Sequence, residues 1–129
     1  MEPGQQRTVQ VVRAGQRTPA DPTPGMAREQ AFAVPGLWAG VVHTEPGAGS
    51  GWHHHGEHET SLYVVAGTLR LEAGPGGSHV VEAGEGDFIH VPAGVVHREL
   101  NPGEVRSTAV IARAGSGPPT VNVDGPAPA

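Results

Sequence analysis

Glycine and proline interrupt this chain so often that no long helix can be threaded through it. There are 20 Gly and 13 Pro in 129 residues, and these are the two poorest helix formers. The apolar residues that remain fall into short runs, each set off by Gly, Pro or Asn. Val9 to Val12, Leu37 to His43, Ser61 to Ala66, Thr68 to Leu71, His79 to Glu82, Phe88 to Val91, Val95 to Leu100 and Val105 to Ala112 are the candidate strands after this reading. Short strands at that spacing predict an all-β barrel or sandwich, and the length suits one domain.

Two stretches resist assignment to the sheet. Thr18-Pro19-Ala20-Asp21-Pro22-Thr23-Pro24-Gly25 carries three prolines that oppose a hydrogen-bonded ladder, so residues 1–30 are expected to form an N-terminal arm ending in a turn. The segment from Gly115-Ser116-Gly117-Pro118-Pro119 to Ala129 is expected to lie as an extended or mobile Pro-rich tail. The barrel would then occupy residues 31–114 of a single domain spanning 1–129.

Charge narrows the choice of partners. With 8 Lys plus Arg and a formal net charge of -5, the chain offers no basic stripe for phosphates, which argues against nucleic acid and anionic membranes. There are 0 cysteines, so a metal would have to be held by imidazole, carboxylate or water. Met1-Glu2-Pro3-Gly4-Gln5-Gln6 lacks a basic region followed by an apolar one, and the expected location is the cytoplasm.

Histidine is where the chemistry concentrates. His53-His54-His55-Gly56-Glu57-His58 holds four of the 8 histidines immediately before a candidate strand. In an extended chain side chains alternate, so His53 and His55 share a face while His54 points away. Two imidazoles on one face can chelate an ion, and a third from another strand would complete a facial set with open positions. His97 is the candidate third ligand. Solvated histidines in a Gly-rich loop, binding metal only adventitiously, are the competing reading.

A second signal shifts that balance. Gly86, Pro92, Gly94, His97 and Asn101 stand at the spacing of the second motif of the cupin family, which this region resembles. Gly47, His53, His55 and Gly67 match the family's first motif, but its glutamate slot falls on Thr60, and Glu59 sits one residue early. By alternation Thr60 would face inward with Leu62 and Val64, and Glu59 would reach an ion only through a bulge. The resemblance implies a jelly-roll barrel of six to eight strands with a metal inside it near one open end. It also implies one divalent ion per chain, with Fe, Mn, Ni, Cu and Zn all compatible with imidazole ligands.

The remaining candidates are weighed residue by residue. Glu59, His90 and Glu99 are the candidate catalytic groups. His90 can line the cavity as an acid or base or be a partly buried histidine satisfied by hydrogen bonds. Glu99, two positions after His97 on the same strand face, can reach the cavity as a base or a partner of the ligands, or sit at the rim. Tyr63, Trp38, Trp52, Phe32 and Phe88 are expected to pack the core. The leading functional expectation is a metal-dependent enzyme of oxygenase type acting on a small organic molecule. The alternative is a non-catalytic small-ligand-binding or sensing domain with a structural metal. A metal-independent sugar isomerase or epimerase would gain nothing from three histidines at ligand spacing. Exposed strand edges, an arm and a tail lead to the expectation of a homodimer.

Overall fold

The structure is a computed structural model that describes residues 8–128; the N-terminal segment Met1 to Gln6 lies outside them. After a short 3-10 turn, Ala14–Gln16, every regular element is a strand: β1 (Thr18–Thr23), β2 (Met26–Val34), β3 (Gly36–Thr44), β4 (His53–His54), β5 (Glu59–Ala66), β6 (Leu69–Ala73), β7 (His79–Ala83), β8 (Phe88–Val91), β9 (His97–Leu100), β10 (Ser107–Gly115) and β11 (Val121–Asn122). These form a sheet in the order β1-β2-β3-β10-β5-β8 and a sheet in the order β11-β4-β9-β6-β7, and every strand pair in them is antiparallel. Among the described residues no helix is long and apolar enough to cross a membrane.

Alternation decides what lies between the sheets. In β5, Thr60, Leu62 and Val64 are buried while Glu59, Tyr63 and Val65 are exposed; in β10, Ser107, Ala109, Ile111 and Arg113 are buried. Together with Met26, Val42, Leu69, Leu71, Ala83, Ile89 and Val91, the apolar members of these sets form one core, each fully buried large side chain contributing about 1.5–3 kcal/mol. This core is aliphatic. The aromatic packing expected from the sequence is not what the fold uses: Phe88, Phe32 and Tyr63 are exposed, and Trp38 only packs against the core from its margin.

Part of each segment held back from the strands pairs into a sheet: β1 in the six-stranded sheet and the two residues of β11 in the five-stranded one. Thr18–Thr23 pairs with Met26–Val34 as a hairpin, with an irregularity between Ala20 and Thr23. The prolines are tolerated because β1 is the edge of its sheet, paired on one side only. The tail supplies β11, whose Val121 and Asn122 pair with His54 and His53, and it is pinned further on by a hydrogen bond from the Gly76 N–H to the Ala127 carbonyl. In contrast, Val9 to Val12 forms no strand and is exposed.

Two motif positions explain the turns that deliver the site. Gly67, between β5 and β6, has φ of 76°, and a Cβ there would lie 2.9 Å from the Ser107 Cα, so neither the backbone angle nor the space admits a side chain. Asn101 is buried at the end of β9. Its Nδ2 donates to the carbonyls of Thr44 and Val105, and its Oδ1 accepts from the Gly103 N–H, which ties the turn leaving β9 to β3.

Candidate metal centre

β4 lies between β11 and β9, so His53 faces His97 directly across the β4–β9 pair. His55 follows one turn of alternation later. The three rings converge, with centroids 4.4 Å apart for His53 and His97 and 5.0 Å for each pair with His55. Glu99, on the same inward face of β9 as His97, completes a set of four buried side chains whose ligand atoms all lie within 4.8 Å of one another. Such a set can hold one metal ion.

The proton positions suit that use. His53 Nδ1 lies 2.9 Å from the Gly51 carbonyl, His55 Nδ1 2.8 Å from the Pro119 carbonyl, and His97 Nδ1 3.0 Å from the Val95 carbonyl. A carbonyl only accepts, so each Nδ1 must donate, and in the neutral ring the lone pair is then on Nε2. Two of these atoms, His55 Nε2 and His97 Nε2, are buried without a hydrogen-bond partner among the described residues. Leaving such an acceptor unmade costs about 1–3 kcal/mol, a cost that a cation at the cluster removes. Backbone carbonyls that fix the distal nitrogen are also how metal-bound histidines are commonly oriented.

Electrostatics point the same way. Burial first, and then the neighbouring Arg113 guanidinium, push His55 down to about 3, so it stays neutral and available to a metal. Burial raises the pKa of Glu99, but in the metal-free chain hydrogen bonding and charge from the His53 and His97 rings, wherever their Nε2 carries a proton in place of a metal, outweigh it and hold the carboxyl well below the usual range. Its Oε1 lies 3.7 Å from His53 Nε2 and 3.5 Å from His97 Nε2. These are the separations of groups gathered around a common point rather than of direct hydrogen bonds.

Two cavities border the cluster. A polar one of about 270 Å³ is lined by His53 and His55 together with Arg28, Arg113, Thr120 and Asn122. A mostly apolar one of about 580 Å³ is lined by His97 together with Leu71, Val81, Ile89, His90 and Val95.

Of the residues singled out from the sequence, His53, His55, His97 and Glu99 are brought together. Glu59 and His90 are not. They sit on the outer face of β5 and β8, where His90 Nε2 and Glu59 Oε1 are 2.6 Å apart and the Ala93 N–H donates to Glu59 Oε2 at 2.7 Å. The Ala93 N–H, and next His90, hold Glu59 below its ordinary pKa. No bulge turns Glu59 inward; its contact with Ala93 instead braces the turn that leads to His97. His90 is 67% exposed rather than partly buried, but it is among the residues that line the apolar cavity reaching His97, as the other of its two sequence readings has it. Thr60 is buried in the carboxylate slot, and the acid of the cluster comes from β9 rather than β5. Of the other two histidines in the run, His54 accepts from the Gly56 N–H and the His58 ring bonds to the His55 carbonyl.

Arg28 and Arg113 gave no signal in the sequence. Arg28 stands on β2 and Arg113 on β10, far in sequence from the histidine run, and only the sheet order brings them to the same cavity.

The double row of antiparallel strands is a fold that comparison with known proteins identifies. The sequence profile of the family described as Cupin domain matches residues 40–112. The chain belongs to the cupin domain family. Among solved structures, this cupin is similar to the cupin domain of Schizosaccharomyces pombe Cnp3, with 17% identity, a TM-score of 0.65, and coverage of 70% of this chain and 65% of that one. It is similar to KdgF from Halomonas sp. at 22% identity and a TM-score of 0.69, covering 84% of this chain and 96% of that one. It is also similar to Bacillus subtilis oxalate decarboxylase OxdC, at 19% identity and a TM-score of 0.73, covering 86% of this cupin but 31% of the decarboxylase, an enzyme also described for its Mn(II) centres. At these identities the likeness concerns the fold. No curated protein matches the sequence.

Proposed function

We propose that this cupin is a metal-dependent enzyme of oxygenase type that acts on a small organic molecule at the His53, His55, His97 and Glu99 cluster, with one divalent ion per chain. The observation that carries the reading is the common orientation of the three imidazoles, each with Nδ1 bonded to a backbone carbonyl, so that the Nε2 lone pairs face Glu99. When bound, a divalent ion supplies Lewis-acid or redox chemistry with coordination positions beyond the four side chains. The chain's own part is to hold the ligands in one tautomer, keep the centre dry and offer the adjoining cavities to a substrate. The Mn(II) centres described for oxalate decarboxylase support a redox-capable metal, which favours testing Mn and Fe first.

Elemental analysis of untagged protein, beside a His53→Ala/His55→Ala variant, tests the site: about one ion per chain is expected in the parent and none in the variant. Turnover of phenols, thiols, diketones or organic acids is then followed with oxygen consumption as the readout. In an enzyme, His97→Ala abolishes turnover and leaves the fold largely intact. In a domain whose metal is structural, the same change strongly lowers thermal stability instead, because metal binding then contributes folding free energy.

We also propose a homodimer. Tyr63, Val65, Phe88 and Val110 are exposed on the outer face of the six-stranded sheet, and the Tyr63 and Phe88 rings pack at 4.7 Å. Apolar groups clustered on one face are the usual mark of an interaction surface.

A further inference from the structure

The pairing of β9 with β6, and of β6 with β7, carries the cluster outward in two rows. His97 stands opposite Ala73 and Ala73 opposite His79; Glu99 stands opposite Leu71 and Leu71 opposite Val81. Residues directly opposite in an antiparallel pair share a face of the sheet, so these side chains extend the inward face that carries His97 and Glu99. The first neighbour of His97 in its row is an alanine, which leaves space where a larger side chain would close against the imidazole.

The core does not fill that face. Leu69, Leu71 and Ala83 are buried, yet Val81, two residues before Ala83 and on the same face, is 37% exposed. β7 and β8 are the last strands of their sheets and do not pair with each other. The two inner faces therefore part at this end, and between them lies the cavity of about 580 Å³ that His97 lines, with Ile89 and Val91 of β8 contributed by the other sheet. Among the described residues that line it there is no carboxylate, ammonium or guanidinium; its polar side chains are the imidazoles of His79, His90 and His97. The volume lies within the range of about 300–1,000 Å³ typical of small-molecule sites, which are mostly apolar with a few placed polar groups. A charged body entering such a wall gives up its hydration with no fixed opposite charge to meet it, whereas apolar surface gains by leaving water.

We infer that the substrate is an uncharged small molecule with an apolar body, seated between Leu71, Val81 and Ile89, whose one polar group is directed along the Ala73 row to His97. This deepens the reading of the cluster as a reaction centre and rests on it for the word substrate. Binding of the apolar body does not require the metal.

Fluorine NMR titration of the metal-free protein at pH about 8, above the ordinary histidine pKa of about 6.5, tests the cavity with para-fluorobenzyl alcohol and its charged counterpart, para-fluorobenzylammonium. The alcohol is expected to bind at least roughly tenfold more tightly, although the chain's net charge of -5 favours the cation at long range. Val81→Trp, a change at a half-exposed position, should fill the outer part of the cavity and weaken the alcohol at least roughly tenfold. Ala73→Leu should do the same from the end nearest His97, with circular dichroism confirming the fold of each variant. Should Ala73→Leu fail to fold, Val81→Trp decides. Loading the parent chain with Mn(II) should then broaden the resonance of the bound alcohol, because the cavity adjoins the cluster. Equal or tighter binding of the ammonium overturns the inference. So does alcohol binding that survives Val81→Trp, or a bound resonance that stays sharp in a chain shown to hold manganese. Alcohol binding in a chain that takes up no metal refutes the reaction centre and leaves the apolar site standing; metal uptake without alcohol binding does the reverse.

Discussion

His55 is a histidine that the fold keeps uncharged, and this has a consequence for acid stability. Burial, with Arg113 beside it, brings its pKa from 6.5 to about 3. The unfolded chain takes up a proton at this position as the pH falls below about 6.5, whereas the native chain does not until about 3. The unfolded state binds more protons throughout that window, so the metal-free protein should lose stability steadily as the pH falls across it, by up to one proton per unfolding event. Urea midpoints at a series of pH values check this, and the slope should be shallower in His55→Gln. Glu99 is the other residue whose charge matters. It is held ionised by the imidazoles that face it, so Glu99→Gln, which keeps the shape and removes the charge, should weaken metal binding. Residues that merely support a metal ligand are worth about 10–100-fold in affinity, and a direct ligand should cost at least about tenfold. A competition titration with a chromophoric chelator reads the change; an unaltered affinity would place Glu99 outside the coordination sphere.

At the level of single elements, the short strand β11 does more for the site than its two residues suggest. It lies beside β4, and just before it the Pro119 carbonyl receives the His55 Nδ1 proton. Removing residues from Pro118 onward should therefore lower metal affinity and leave the barrel's cooperative unfolding transition in place, as followed by chelator competition and thermal denaturation. This strand and β1 were the parts of the fold that the sequence concealed, because proline and glycine disqualify a strand interior but not an edge paired on one side. The histidine ligands were legible, since alternation along β4 and its extension fixes the common face of His53 and His55, and the motif spacing around His97 supplies the third. Glu99 was half legible, its face following from its position two residues after His97. Arg28 and Arg113 were not, because their meeting depends on β10 pairing with both β3 and β5, an order that no local pattern encodes. Phe88 and Tyr63 were misread for a related reason: hydrophobicity marks a residue for burial, but the strand's alternation had already assigned the inner face to Ile89, Val91, Leu62 and Val64.

For the molecule as a whole, the exposed aromatic pair on the larger sheet has an expected use in the proposed homodimer. Light scattering after size exclusion should give twice the monomer mass for the parent chain, and Phe88→Glu, which alters a side chain 71% exposed, should give the monomer with its melting temperature little changed. A parent chain that runs as a monomer at micromolar concentration would remove the dimer. The threading of the barrel also imposes a timetable. Chain growth releases His53 and His55 early, His97 later, and only afterwards Arg113 and the Pro119 carbonyl that aims the His55 ring. A nascent chain therefore carries these histidines for some time before the groups that orient them exist, and the cluster is built by the closing of the barrel, so the proposed metal could be taken up only after it.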